Sequence, residues 1–193
     1  MRRALGVAGI VVLGMSGCAA PAPAVTALGE ILFKSAPLGF SIAYPAGWEK
    51  VESLGQDGGG TIAFVAPPRP TDAAEGAPRG TVGVTVQPLA PKDAASPAAF
   101  AQWYLRGFQQ RWPDATVLSQ SSVVIRGRPA AELVLTKPDT DPHGHPFTVK
   151  IQGVFFVQGA RGYLVYYNHD ASRFGEAIAA RQRLLDTFRI TAS

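Results

Sequence analysis

The stretch LGFSIAYPAGW, residues 38–48, decides the fold. Phe40, Ile42 and Tyr44 alternate with Ser41 and Ala43, the two-residue period of a half-buried strand, and Pro45 ends the run before Ala46-Gly47 turns the chain into Trp48. A core strand therefore closes on a corner with a large aromatic residue just beyond it. Upstream, residues 31–34 pair with residues 39–44 as a hairpin through Pro37-Leu38-Gly39, where glycine can supply positive φ.

Working outward, residues 61–65 form a second short alternating strand after the flexible QDGGG of residues 56–60. A Pro-, Ala- and charge-rich loop, residues 67–79, is expected to be exposed and mobile. The cleanest alternation follows at 81–87: Val82, Val84 and Val86 point one way and Thr81, Gly83, Thr85 and Gln87 the other, so one face must be covered. Two helices supply the cover. The first begins at Ser96-Pro97 and carries Phe100, Trp103, Tyr104 and Phe108 at helical spacing until Pro113. The second, from about 171 to 187, is capped by Asp170 or Ser172 and places Phe174, Ile178, Leu185 and Phe188 along one side, with Glu176, Arg183 and Asp186 outward.

Between the helices lie strands at 116–126, 129–137, 147–158 and 162–169. Gly127-Arg128 separates the first two and Gly159-Ala160-Arg161 the last two, so both connections read as tight antiparallel hairpins. The expected fold class is α+β: an antiparallel β-sheet of about six or seven strands flanked by helices.

With 193 residues, 47% of them hydrophobic and 17% charged, the chain can bury one domain-sized core. Arg2 and Arg3, the apolar run of residues 4–14 and the small residues after it have the order of a bacterial export signal, too short and glycine-rich for a comfortable membrane span. Residues 13–18, LGMSGC, resemble a lipobox, with Met15 where leucine is usual, so Cys18 is expected to receive a diacylglycerol thioether, as in a palmitate-bearing lipoprotein. The implied organisation is residues 1–17 as signal peptide, 18–29 as an Ala/Pro-rich tether and 30–193 as the domain. Two acyl chains hold stably because each buried methylene contributes about 0.8 kcal/mol. The uncharged tether reaches roughly 30 Å when extended. Loss of Arg2 and Arg3 lowers the formal net charge from +4 to +2, with the basic residues scattered, so no nucleic-acid partner is expected. The expected address is the extracytoplasmic side of a bacterial cell membrane or outer membrane, and in a host with an outer membrane Ala19 lacks the aspartate that commonly retains such lipoproteins at the inner one.

The order of elements resembles the PsbP/Mog1 superfamily, including its bacterial PsbP-like lipoproteins. The resemblance rests on the hairpin into GFSIAYPAGW, the helix at 97–112, VVIRGRPAAELVL at 123–135, FFVQGARGYLVYY at 155–167, and a closing helix into Thr187-Phe188-Arg189. It spans about residues 31–190 and implies an α/β/α sandwich acting as an accessory or binding protein, in photosystem II assembly and oxygen evolution for the plastid branch and in the cell envelope for the bacterial one. The matching residues are structural, so a photosynthetic role does not carry over.

The sequence has no G-x-S-x-G, H-E-x-x-H, C-x-x-C or phosphate loop, and no catalytic residue is nominated. Asp139, Asp141, His143 and His145, in PDTDPHGHP at 138–146, are the one concentration of metal-ligand types; alternate spacing could gather two imidazoles and a carboxylate around a divalent cation. The same residues also serve ordinary turn geometry and solubility. His169, at a strand end, reads as a capping or core-edge residue. Trp48, Trp103 and Phe108 read as core. Trp112 and Tyr166 are candidates for a pocket or partner face, Tyr166 lying on the opposite strand face from Tyr163 and Tyr167. The expected function is a membrane-tethered, non-enzymatic accessory module that binds an envelope protein or ligand, with a metal or small-ligand carrier as the alternative. No cofactor is expected beyond the covalent lipid and that possible cation.

Overall fold

The alternating segments become two antiparallel sheets in the computed structural model, which describes residues 29–68 and 79–191. Cys18, the leader, most of the tether and most of the 67–79 loop lie outside the described residues. The strands are β1 (Glu30–Ser35), β2 (Phe40–Pro45), β3 (Glu49–Leu54), β4 (Gly60–Val65), β5 (Thr81–Pro88), β6 (Thr116–Ile125), β7 (Arg128–Thr140), β8 (Pro146–Gln158), β9 (Arg161–Asp170) and β10 (Arg189–Ile190). Helix α1 spans Pro97–Arg111, and a 3₁₀ segment (Ala171–Ala177) runs into α2 (Ile178–Thr187). The main sheet has seven strands in the order β3-β4-β5-β9-β8-β7-β6, all neighbours antiparallel.

The opening hairpin forms as expected, but with β10 it makes a separate three-stranded sheet, β1-β2-β10. Phe40 and Ile42 leave no exposed surface and join Val82, Val84 and Val86 in one core, so the small sheet acts as a lid on the larger one. Strand β3 escaped the sequence pattern because all six of its residues are exposed, leaving no buried period to detect. It pairs with β4 through a turn in which Gly59 N–H is bonded to Asp57 Oδ1 at 3.0 Å.

Helix α1 forms as its caps dictate. Ser96 Oγ accepts from Ala99 N–H at 3.1 Å, Pro97 occupies the first turn, and Trp112 N–H reaches Phe108 C=O at 2.8 Å before Pro113. Its buried residues Phe100, Ala101 and Phe108 meet Leu133, Leu135, Phe155 and Leu164 in a second core on the opposite sheet face. Gly162 makes this contact possible, since a Cβ there would lie 2.6 Å from the Phe100 ring.

The second helix starts later than expected. Asp170 accepts from Ser172 N–H at 2.8 Å, but the first seven residues wind as 3₁₀, three residues per turn. That brings Ala177 under Phe174 and moves Ile178 out of phase, so Ile178 is 48% exposed and not part of the buried side. Leu184, Leu185 and Phe188 complete the packing. Glu132 in β7 holds this layer down, accepting from Arg181 Nη2 at 2.8 Å and Gln152 Nε2 at 2.7 Å.

Candidate functional site

The two sheet faces are covered unequally. One is closed by β1-β2-β10, the 3₁₀ segment and α2, whereas α1 packs chiefly on β7 and β8, touches β9 at Gly162 and Leu164, and leaves much of the matching face of β5 and β4 open. A groove runs along the uncovered flank of α1. Its first depression, about 650 Å³, is walled by Trp103, Tyr104, Gly107 and Phe108 and floored by Thr85, Gln87 and Leu164. A second, about 470 Å³, shares Tyr104, Phe108, Trp112, Thr85 and Leu164 and continues to Tyr166, Asn168, Ile151 and Lys137.

Parity along the strands puts these residues here. In β9 Tyr163, Val165 and Tyr167 enter the closed core, so Leu164, Tyr166 and Asn168 face the groove. Tyr166, on the opposite strand face from Tyr163 and Tyr167, lines the groove together with Trp112. Gly83, its register partner in β5, makes room for the ring: a Cβ at 83 would come within 2.7 Å of both the Tyr166 hydroxyl and the Ile62 carbonyl oxygen.

Aromatic contacts fix the helix wall. Tyr104 packs against Phe155 with centroids 5.3 Å apart, and Phe108 against Trp112 at 4.5 Å. Trp112 is 36% exposed, and the Lys137 ammonium lies 5.2 Å from its ring centroid. Trp103 and Trp48 are half-buried at the margins of the two cores, and Phe108 is buried as expected.

Arg106 lines the first depression and the Lys137–Asp139 pair the second; the other polar groups of the groove are neutral. Burial pushes the Tyr104 hydroxyl up to about 12, and burial together with neighbouring Tyr104 does the same for Tyr166. Both phenols therefore stay protonated, and among the described residues neither hydroxyl has a hydrogen-bond partner. They are donors facing an apolar space. Thr61 and Thr85 bond to each other at 3.0 Å on the floor.

The four metal candidates are held differently. Asp139 is paired with Lys137, whose hydrogen bond keeps its carboxyl below the usual range. Asp141 Oδ1 accepts from the backbone N–H groups of His143 and His145, each at 2.8 Å, while Oδ2 lies 3.0 Å from His145 Nδ1. Burial raises the Asp141 carboxyl, but those hydrogen bonds together outweigh it and leave it below its ordinary value. Gly144 takes φ 85° to close the turn. The His143 and His145 rings lie 6.2 Å apart, and among the described residues no three His, Cys, Asp or Glu side chains are grouped to hold a metal ion. His169 is a buried strand-end residue, with Nε2 3.7 Å from Glu176 Oε2.

Sequence reasoning named Trp112 and Tyr166 for a pocket or partner face, and Asp139, named as a metal candidate, lines the second depression instead. Trp103 and Phe108 read as core because helical spacing records a shared face and not how far that face is covered. Lys137 and Asn168 carried no motif at all.

No protein-family model and no curated protein matches this sequence. Solved structures do. The Ran-binding protein Mog1p of Saccharomyces cerevisiae is 11% identical with a TM-score of 0.55, covering 84% of this chain and 96% of its own. Cyanobacterial PsbP (CyanoP) of Synechocystis is 10% identical with a TM-score of 0.53, covering 90% and 99%. LpqN of Mycobacterium tuberculosis, described as involved in cell envelope biogenesis, is 15% identical with a TM-score of 0.53, covering 85% and 91%. The chain has the PsbP/Mog1-like α+β fold.

Proposed function

We propose that this chain is an extracytoplasmic lipoprotein, tethered through Cys18, that works without catalysis by binding an apolar ligand of the cell envelope in the groove beside α1. The groove itself carries the reading: apolar walls, with two protonated phenols whose hydroxyls lack a protein acceptor. Such a site suits a molecule with an apolar body and a carbonyl, ether or hydroxyl oxygen to accept from Tyr104 and Tyr166. Groups that keep their protons to about pH 12 serve as donors and not as general bases near neutrality. The lipobox-like residues 13–18 and the fold shared with LpqN, described as acting in envelope biogenesis, support the address. Among the described residues no helix is long and apolar enough to cross a membrane.

Gly107 provides the test. It lines the groove, and a Cβ there would meet nothing within 4 Å, so a larger side chain fills the space without disturbing the core. The fluorescent probe N-phenyl-1-naphthylamine should bind the wild-type chain with energy transfer from Trp103 and Trp112, and Gly107→Phe should lose that binding while melting normally. Equal binding by the two proteins would refute the groove. Labelled palmitate incorporation, abolished by Cys18→Ala, separately tests the anchor.

A further inference from the structure

Arginines scattered along the sequence meet on the closed side of the fold. Arg126 in the β6–β7 turn, Arg128 at the start of β7 and Arg189 at the start of β10 line a cavity of about 240 Å³ that also touches the core residues Phe156, Leu185 and Phe188. Arg126 and Arg189 each donate from Nη1 to one acceptor, the Asp186 C=O near the end of α2, Arg189 at 3.0 Å, so two like charges are held side by side. Arg128 donates from Nη2 to Gln158 Oε1 at 2.6 Å. Among the described residues no carboxylate lies within ion-pair distance of any of the three, and the Asp186 carboxylate is bonded to Gln182 Nε2 at 3.0 Å.

Capping the carbonyl end of α2 requires one cation and accounts for one of these side chains. Arg126 stands where φ is 54°, a left-handed conformation that suits glycine and is uncommon for a residue with a long side chain. A guanidinium carries five N–H groups on three nitrogens, and in each of these arginines the protein's hydrogen bonds occupy a single Nη. Among the described residues the Nε and the second Nη of all three therefore have no acceptor.

We propose that Arg126, Arg128 and Arg189 form a binding site for a phosphate monoester group, separate from the groove beside α1. Such a group carries a charge of about −1.5 to −2 and three acceptor oxygens, one for each guanidinium. It neutralises cations that the fold brings together without an acid, and the apolar side chains beneath strengthen the attraction by lowering the local dielectric constant. A soluble phosphate ester and a lipid headgroup present the same chemistry.

Arginine Nε–Hε resonances of the mature chain carrying Cys18→Ser report the site. Inorganic phosphate should shift those of Arg126, Arg128 and Arg189 together, and chloride at the same ionic strength should not. Arg126→Gly puts glycine at the left-handed position, so it should remain folded by circular dichroism while phosphate affinity falls about tenfold or more, the scale of one charge-assisted hydrogen bond. Arg128→Gln should weaken binding similarly. Flotation with phosphatidic acid vesicles but not with phosphatidylcholine vesicles, lost in Arg126→Gly, assigns the group to a lipid headgroup; phosphate shifts without flotation assign it to a soluble ester. Resonances unmoved at about 10 mM phosphate, beyond the millimolar scale of weak association, overturn the proposal. Equal phosphate affinity in the wild type and a folded Arg126→Gly does the same.

Discussion

Gly83→Ala tests whether the groove is shaped by one missing methyl group. The added Cβ would lie 2.7 Å from the Ile62 carbonyl oxygen, 2.7 Å from the Tyr166 hydroxyl and 2.8 Å from its Cζ. Lifting the Tyr166 ring off the sheet relieves the contacts with its hydroxyl and Cζ, and the contact with Ile62, which belongs to the β4 ladder, is relieved only by parting the β4 and β5 backbones slightly. Overpacking of this kind costs about 1–3 kcal/mol. Reduced freedom of the unfolded chain returns about 0.4–1 kcal/mol. The net, about 1–2 kcal/mol, corresponds to a Tm lower by about 2–8 °C for a domain of this size. A lifted ring is also better hydrated, so part of the alkaline tyrosinate absorbance change should move from about 12 towards the ordinary 10. Thermal melting and ultraviolet titration of the same samples measure both effects. Wild-type Tm together with an unmoved titration would refute the argument that Gly83 holds a place for Tyr166.

Removing the acceptor that ties α2 to the sheet, Glu132→Ala, should cost about 2–3 kcal/mol, because it strands a largely buried guanidinium. Denaturant melts of Glu132→Ala, Arg181→Ala and the double variant should show the double loss to be smaller than the sum of the singles; simple additivity would exclude coupling between the two side chains. Alkali supplies a second expectation. Tyr104 and Tyr166 ionise near 10 when unfolded and near 12 when folded, so above pH 10 the unfolded chain binds fewer protons, and their contribution, intact below pH 10, is lost as pH rises through about 12. Urea midpoints from pH 9 to 12 should fall, and fall less in Tyr104→Phe/Tyr166→Phe.

Features that bury one side of a short segment were legible in the sequence. The alternation of Phe40, Ile42 and Tyr44, the valines of β5, and the Ser96-Pro97 start of α1 each correspond to an observed element. Both late hairpins were legible from glycine, although the first turn sits one residue earlier, at Arg126-Gly127, where φ is 54° and 78°. Alternation, however, reports a face and not a partner, which is why the β1–β2 hairpin was assigned to the main sheet. A strand with no buried face, such as β3, leaves no period. A 3₁₀ turn resets the helical phase without a residue signature, which misplaced Ile178. The groove is a property of what α1 fails to cover, and helix width is not written in residue spacing.

The unequal covering divides the work of the fold. On the closed face the lid is fastened by specific bonds as well as by apolar packing: Glu132 to Arg181, Ala43 N–H to Thr187 Oγ1 at 2.9 Å, and Arg183 to Glu30. Ionic and hydrogen-bonded links from β1, β2 and β7 converge on α2, so this side anchors the C-terminal segment. On the other face α1 is fixed by Phe100 and Phe108 against Phe155, Leu133, Leu135 and Leu164, a contact made chiefly over β7 and β8 and reaching β9 at Gly162 and Leu164. Residues on the free flank, Trp103, Gly107 and Trp112, are therefore spared from closing the core, and substitutions there alter the groove before they alter the fold. That separation is what allows Gly107→Phe to block binding in a folded chain, whereas Glu132→Ala weakens the fold from a side the ligand does not reach.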